Sequence, residues 1–261
     1  MTVDIASICG IALALLGILG GMMMEGGSIA QIAQPTAACI VLCGTTGAVL
    51  LQFPISIVFA SLKELRGVFA VNPGDGEAKL DRMVVFANKA RKLGVVSLDD
   101  DLKNIEDPFM KQALMLAVDG IEPNAIRQIM RLELENSAET EEKLAHVFEA
   151  AGGYSPTVGI IGAVLGLIQV MQHLDNIAEV GRGIAVAFVA TIYGVGLANL
   201  VCLPIAGKLK IRHRDEQIVK EMMLEGVVSI LEGMNPRMME VKLRTYLFET
   251  RAEVERERVM A

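Results

Sequence analysis

The sequence contains no tryptophan, and only three tyrosines, eight phenylalanines and three histidines among its 261 residues. With a formal net charge of −7, it lacks the basic, aromatic surface that nucleic-acid binding requires. Its four cysteines, Cys9, Cys39, Cys43 and Cys202, all fall inside apolar runs, so they do not form a disulfide framework. Cys39 and Cys43 share one helix face, but no His, Asp or Glu lies near them in sequence. Small apolar packing is therefore preferred to a metal pair. There is no glycine-rich phosphate loop, no zinc-type spacing and no nucleophile elbow. The chain reads as a non-enzyme with no cofactor. It also lacks the basic n-region of a signal peptide, so its first apolar run is read as a retained span.

Apolar sequence is abundant, with 52% hydrophobic residues and 25 glycines. Glycine is commoner in membrane helices than in soluble ones. Four runs stand out: Ile5–Met24, Ile32–Leu62, Val158–Leu174 and Gly183–Ala206. A span needs about 20 mainly apolar residues. The first and fourth runs meet this directly. Pro35 and Pro54 confine the second to a core of roughly 36–60, and the third reaches full length if Tyr154–Pro156 lie at the interface. "MMM" at 22–24 reads as flexible apolar filling. Every Lys and Arg except Arg182 lies in 63–143 or 208–258, which places both segments and both termini in the cytoplasm. The expected fold is all-α: a polytopic membrane protein with four transmembrane helices and a helical cytoplasmic domain. Its parts are a hairpin over 1–62, a cytoplasmic helical domain over 63–153, a second hairpin over 154–206 and cytoplasmic helices over 207–261.

Within the charged segment, "VNPGDGE" (71–77) is a turn, and 77–93 has helical apolar spacing. "GVVSLDDDL" stops that helix at Gly94 and predicts a capping box of Ser97 with Asp100. A short helix opens at Pro108 and ends at Gly120; a long one runs over 122–151 with Pro123 at its start. His146 and His213, isolated in charged helices, read as surface residues. The tail turns at "GMNP" (233–236), resumes to about Phe248, and ends in an alternating-sign stretch read as frayed or disordered.

No charged residue occupies the centre of any span; Glu25, His173 and Asp175 stand at outer ends. Charges inside membranes usually mark ion paths, so this chain alone makes a poor ion carrier. The third span presents Gly159, Gly162, Ala163 and Gly166, and the fourth Ala187, Thr191, Gly194 and Ala198. Both faces suit close helix packing, with each other or with a helix from another chain. Thr191 alone would bond back to the Ala187 carbonyl.

"GYSPTVGIIGAVLGLIQVM", "AVAFVATIYGVGLANLVCLPIAGKLK" and "EGMNPRMMEVKL" resemble the MotA family of flagellar motor stator proteins. "GGSIAQIAQPTAACIVLCGTTGAVL" and "RKLGVVSLDDDL" extend the resemblance over nearly the whole chain, in order. The resemblance implies an inner-membrane homo-oligomer, a pentamer, around two single-span MotB-type helices whose Asp binds the permeating ion. Ion flow would turn the ring against the rotor protein FliG. Thr191 would face the partner's Asp, with Ala163, Gly162 and Tyr193 on the ion-pathway and partner-helix face. Pro156 and Pro204 match prolines of the third and fourth spans, the former implicated in the conformational step. Arg91 and Asp99 match the charged rotor contact, and Asp100 and Asp101 are placed to share it. Sodium-driven members carry a Thr where this chain has Ala163, so H⁺ is expected in preference to Na⁺. Two other readings stay open: an ExbB- or TolQ-like energy-coupling subunit, and a structural membrane scaffold.

Overall fold

The computed structural model describes residues 2–68, 70–71 and 75–247. The expected turn at 71–77 lies largely outside the described residues, as does the tail from Phe248. The chain divides into two compact units, Met1–Val71 with Glu142–Lys210, and Asn72–Glu141 with Ile211–Ala261. Among the described residues four helices are long and apolar enough to cross a membrane.

The first unit opens with a two-residue strand, β1 (Thr2–Val3), followed by α1 (Ile5–Met24), α2 (Ile29–Ile32), α3 (Pro35–Gln52), α4 (Ile55–Val68) and β2 (Ala70–Val71). β1 pairs antiparallel with β2, Thr2 opposite Val71. Asp4 caps α1, accepting from the Ala6 and Ser7 amides, and forms an ion pair with Lys208. No residue of α1 is buried.

The second apolar run is not one helix through residue 60, as 36–60 implied. α3 stops at Gln52, Phe53 is extended (φ −119, ψ 142) and α4 restarts at Ile55. Pro54 is the cause: it forces the preceding residue out of the helical region and has no N–H to continue the ladder. α3 buries Ala37, Val41, Thr45 and Val49, a stripe at steps of four.

The second unit begins with α5 (Asp75–Leu93). Gly94 stops α5 at φ 85, a conformation that residues with a Cβ rarely adopt. A 3₁₀ turn (Val95–Leu98), α6 (Asp99–Leu102) and α7 (Pro108–Val118) follow. The capping box expected of Ser97 and Asp100 does not form: α6 starts one residue later, after Leu98, with no side-chain cap. Ser97 instead donates to the Gly94 carbonyl at 2.7 Å, a local bond that competes with capping.

α8 (Pro123–Gln172) contributes to both units and is longer than the sequence suggested. It does not end near Ala151, and it carries Pro156 inside it. α9 (Ile177–Gly196) leads through a π-helical stretch (Leu197–Cys202) into α10 (Leu203–Leu231). After Gly233 a last helix, α11, covers 236–247.

The core of the second unit is rich in methionine. Met83, Met110, Met130, Met222, Met223 and Met239 are all but inaccessible to solvent. This flexible side chain fills irregular gaps between helices. Ion pairs border the core: Lys79–Asp107 and Lys89–Asp101, both at 2.7 Å, and Lys220–Glu141 at 3.0 Å. His213 is not a surface residue. It is 8% exposed, because α10 turns that position inward, and its Nδ1 has no hydrogen-bond partner among the described residues. His146 is exposed, 2.9 Å from Glu149.

Candidate functional site: the crossing of α8 and α9

Glycines let the α8 and α9 backbones approach to contact distance. A Cβ on Gly159 would lie 2.9 Å from the Ala190 carbonyl oxygen and 3.4 Å from the Thr191 Cα. One on Gly166 would lie 2.8 Å from the Gly183 oxygen. One on Gly162 would lie 2.8 Å from the Ala190 Cβ and 3.3 Å from Ile40 of α3. One on Gly194 would fall on the Ser155 carbonyl oxygen, with the Gly159 and Pro156 Cα atoms at 3.1 and 3.2 Å. The small-residue faces therefore pack on each other within the chain, which is the first of the two readings they allowed.

Thr191, Pro156 and Gly162 meet at this crossing. The Thr191 hydroxyl donates to the Ala187 carbonyl at 3.2 Å and is half-buried. The back-bond is therefore present, yet the hydroxyl oxygen keeps its lone pairs for an incoming donor or cation. Ala163 is half-buried on the next position of α8. Tyr193 turns to a different neighbour. Its phenol donates to the Ile32 carbonyl at 2.5 Å and accepts from the Gln34 amide at 3.4 Å. It thus supplies partners to the bend between α2 and α3, where Pro35 has no N–H to give. Pro204 is the second residue of α10, just past the π-helical stretch.

That stretch gave no sequence signal apart from Pro204 itself. The Leu203 amide reaches back five residues to Ala198 instead of four, which widens the turn preceding the proline ring. The Asn199 side chain donates to the Val195 carbonyl at 3.0 Å, one turn back along the same helix. Ser155 also escaped sequence reasoning. It is fully buried and donates to the Gly194 carbonyl at 3.0 Å. Thr45, buried in α3, has a hydroxyl without a partner among the described residues.

In the second unit Arg91 ends α5, and Asp99 and Asp100 begin α6; all three are exposed. None of them has an ion-pair partner among the described residues. Asp101 differs, being paired with Lys89 at 2.7 Å. Cys39 and Cys43 are exposed on α3 with sulfurs 3.9 Å apart. Among the described residues no three His, Cys, Asp or Glu side chains gather to hold a metal.

Comparison with known proteins fits this arrangement. Residues 8–94 match the family described as Motility protein A N-terminal, and residues 101–222 match the MotA/TolQ/ExbB proton channel family. Motility protein A of Bacillus subtilis is 37% identical over 94% of this chain and 91% of its own length. The chain belongs to the MotA family. Chemotaxis protein PomA of Vibrio alginolyticus, also similar, is 31% identical over 92% of this chain and 97% of that protein. Among solved structures, the flagellar MotAB stator complex from Bacillus subtilis contains a chain 36% identical, with a TM-score of 0.86, covering 96% of this chain and 99% of that one. The C. jejuni MotAB structure matches with a TM-score of 0.88 at 31% identity, covering 93% and 95%. The all-α membrane fold and the stator class follow from these likenesses.

Proposed function

We propose that this chain is the ring-forming stator subunit of a flagellar motor, working with a MotB-type partner whose intramembrane carboxylate supplies the missing charge. The observation that carries the proposal is the crossing itself. It holds a hydroxyl with free lone pairs, Thr191, beside two closely packed helices, one of them carrying Pro156, and no charged residue lies at the centre of any span to complete an ion site. Thr191, Ala163 and Gly162 border the ion path, with Tyr193 fixing the adjacent bend. Pro156 and Pro204 are the bending points. The permeating ion is H⁺: with alanine at 163 the site has one oxygen fewer to replace the hydration shell of Na⁺. The hairpins of 1–62 and 154–206 lie in the inner membrane, and 63–153 and 207–261 in the cytoplasm. The pairing of β1 with β2 and of Asp4 with Lys208 supports an N-terminus on the cytoplasmic side.

Arg91, Asp99 and Asp100 form the contact with the rotor protein FliG. Their exposure, without intramolecular partners among the described residues, supports this role. Reversing the charges of Arg91 and Asp99 together should lower torque while leaving membrane insertion intact, because exposed charges steer association rather than hold a fold. Deleting the gene should leave filaments that do not turn. Swimming that follows external Na⁺ and ignores a protonophore would overturn the choice of ion. Normal swimming of the deletion strain, with ion flux through the purified complex, would favour the ExbB- or TolQ-like reading.

A further inference from the structure

Pro156 interrupts the hydrogen-bond ladder of α8, since it offers no N–H to the Gly152 carbonyl. Three hydroxyls flank it. Thr157 donates locally, to the Tyr154 carbonyl at 2.7 Å. Tyr154 donates to the Gln52 side chain at 2.8 Å, at an exposed site. Ser155 is different: it is fully buried, and its hydroxyl crosses to another helix, donating to the Gly194 carbonyl at 3.0 Å. A serine within a helix ordinarily bonds back to a carbonyl of its own preceding turn. Ser155 gives up that bond for one that ties the Pro156 joint to α9.

The bond lands close to Thr191. Gly194 is one turn beyond Thr191 on α9, and its carbonyl lies where helical hydrogen bonding shifts register, just ahead of the π-helical stretch. On the α8 side, Gly159 sits against the Thr191 Cα. Bending α8 at Pro156 therefore moves the wall of the ion path only as far as the Ser155–Gly194 bond permits. We infer that Ser155 is a positioning residue for ion passage, fixing the resting bend of α8 at Pro156 relative to Thr191 through the Gly194 carbonyl. The inference rests on the stator reading above.

A single buried neutral hydrogen bond changes the balance of two conformers by roughly fivefold. The test uses the full chain with its partner in motile cells, reading rotation speed against ion-motive force, with membrane levels of the protein measured in parallel. Ser155→Ala should accumulate normally but shift the ion-motive force giving half-maximal speed by about twofold or more. Ser155→Thr, which keeps a hydroxyl, should restore the parental dependence. A parental curve for Ser155→Ala, or equal shifts for Ala and Thr, would overturn the inference. If Ser155→Ala does not accumulate, Ser155→Cys carries the comparison, since it fills the site with a small side chain and weakens the donor. An intermediate shift then supports the clasp, and a parental curve removes it. Thr191→Ala and the gene deletion are run alongside. Unaltered rotation in both refutes the stator reading itself, whatever Ser155 does.

Discussion

Replacing Gly194 with alanine tests the packing of the crossing most directly. The new methyl would fall on the Ser155 carbonyl oxygen and lie 3.1 and 3.2 Å from two further backbone atoms of α8. None of these is the end of a flexible side chain, so the helices must separate or the chain must rotate. Overpacking of this kind costs about 1–3 kcal/mol. Displacing the carbonyl from Ser155 adds about 1 kcal/mol for the buried hydrogen bond. Alanine's higher helix propensity returns about 1 kcal/mol. The net loss is about 1–3 kcal/mol. At roughly 2–4 °C per kcal/mol for a chain of this size, the purified protein should unfold about 2–12 °C lower. Gly196→Ala is the matched control: two residues away, its Cβ would meet nothing within 4 Å. It should melt at or above the parental temperature. If the two variants melt together, the helices do not approach as closely as described, and the account of Thr191 and Pro156 as neighbours fails.

Two other consequences can be checked. Asp4→Ala removes both the cap of α1 and the ion pair with Lys208, so amide exchange over residues 5–10 should quicken by roughly five- to tenfold, as expected for loss of a cap; adding Lys208→Ala should change it little more. Asp107 gives a pH signature. Burial alone would raise its carboxyl, but the Lys79 ammonium at 2.7 Å and the backbone amides of Met110 and Phe109 outweigh this and hold it below the ordinary carboxylate value. A carboxyl depressed in the folded state stabilises above its unfolded value, about 3.9, and that contribution is lost as pH falls through the lower folded value. Asp107→Asn should therefore be less stable than the parent at neutral pH, and the difference should shrink as pH falls below the ordinary carboxylate value, as read by denaturant titration.

The span count, the absence of charge within the spans and the stops at Gly94 and Gly120 were legible because each rests on local chemistry: length, hydropathy, or a backbone angle that glycine adopts easily. Phe53 shows the limit of that reading. Pro54 marks a boundary in the sequence, but the apolar run itself does not change there, so hydropathy alone carries a span through it. The capping box failed for a similar reason: Ser97 and Asp100 have the right spacing, yet the 3₁₀ turn after Gly94 moves the helix start to Asp99. Ser155, Asn199 and His213 could not be placed from sequence, since each depends on which way a long helix faces. At the crossing itself the sequence marked Thr191 and the glycines; only the structure showed that Tyr193 serves the α2–α3 bend instead.

The absence of buried residues along α1 bears on how freely its sequence can vary. Within the chain no neighbour shapes a socket for Leu13, Leu16 or Ile18, whose side chains stand more than half exposed. Nothing within the chain therefore fixes side-chain size or branching at these positions, and transfer out of water is the constraint the chain itself imposes. A randomised library at these three sites, scored for surviving protein, should rank amino acids in the order of a solvent-partition scale, with leucine, phenylalanine and valine interchangeable and lysine or aspartate eliminated.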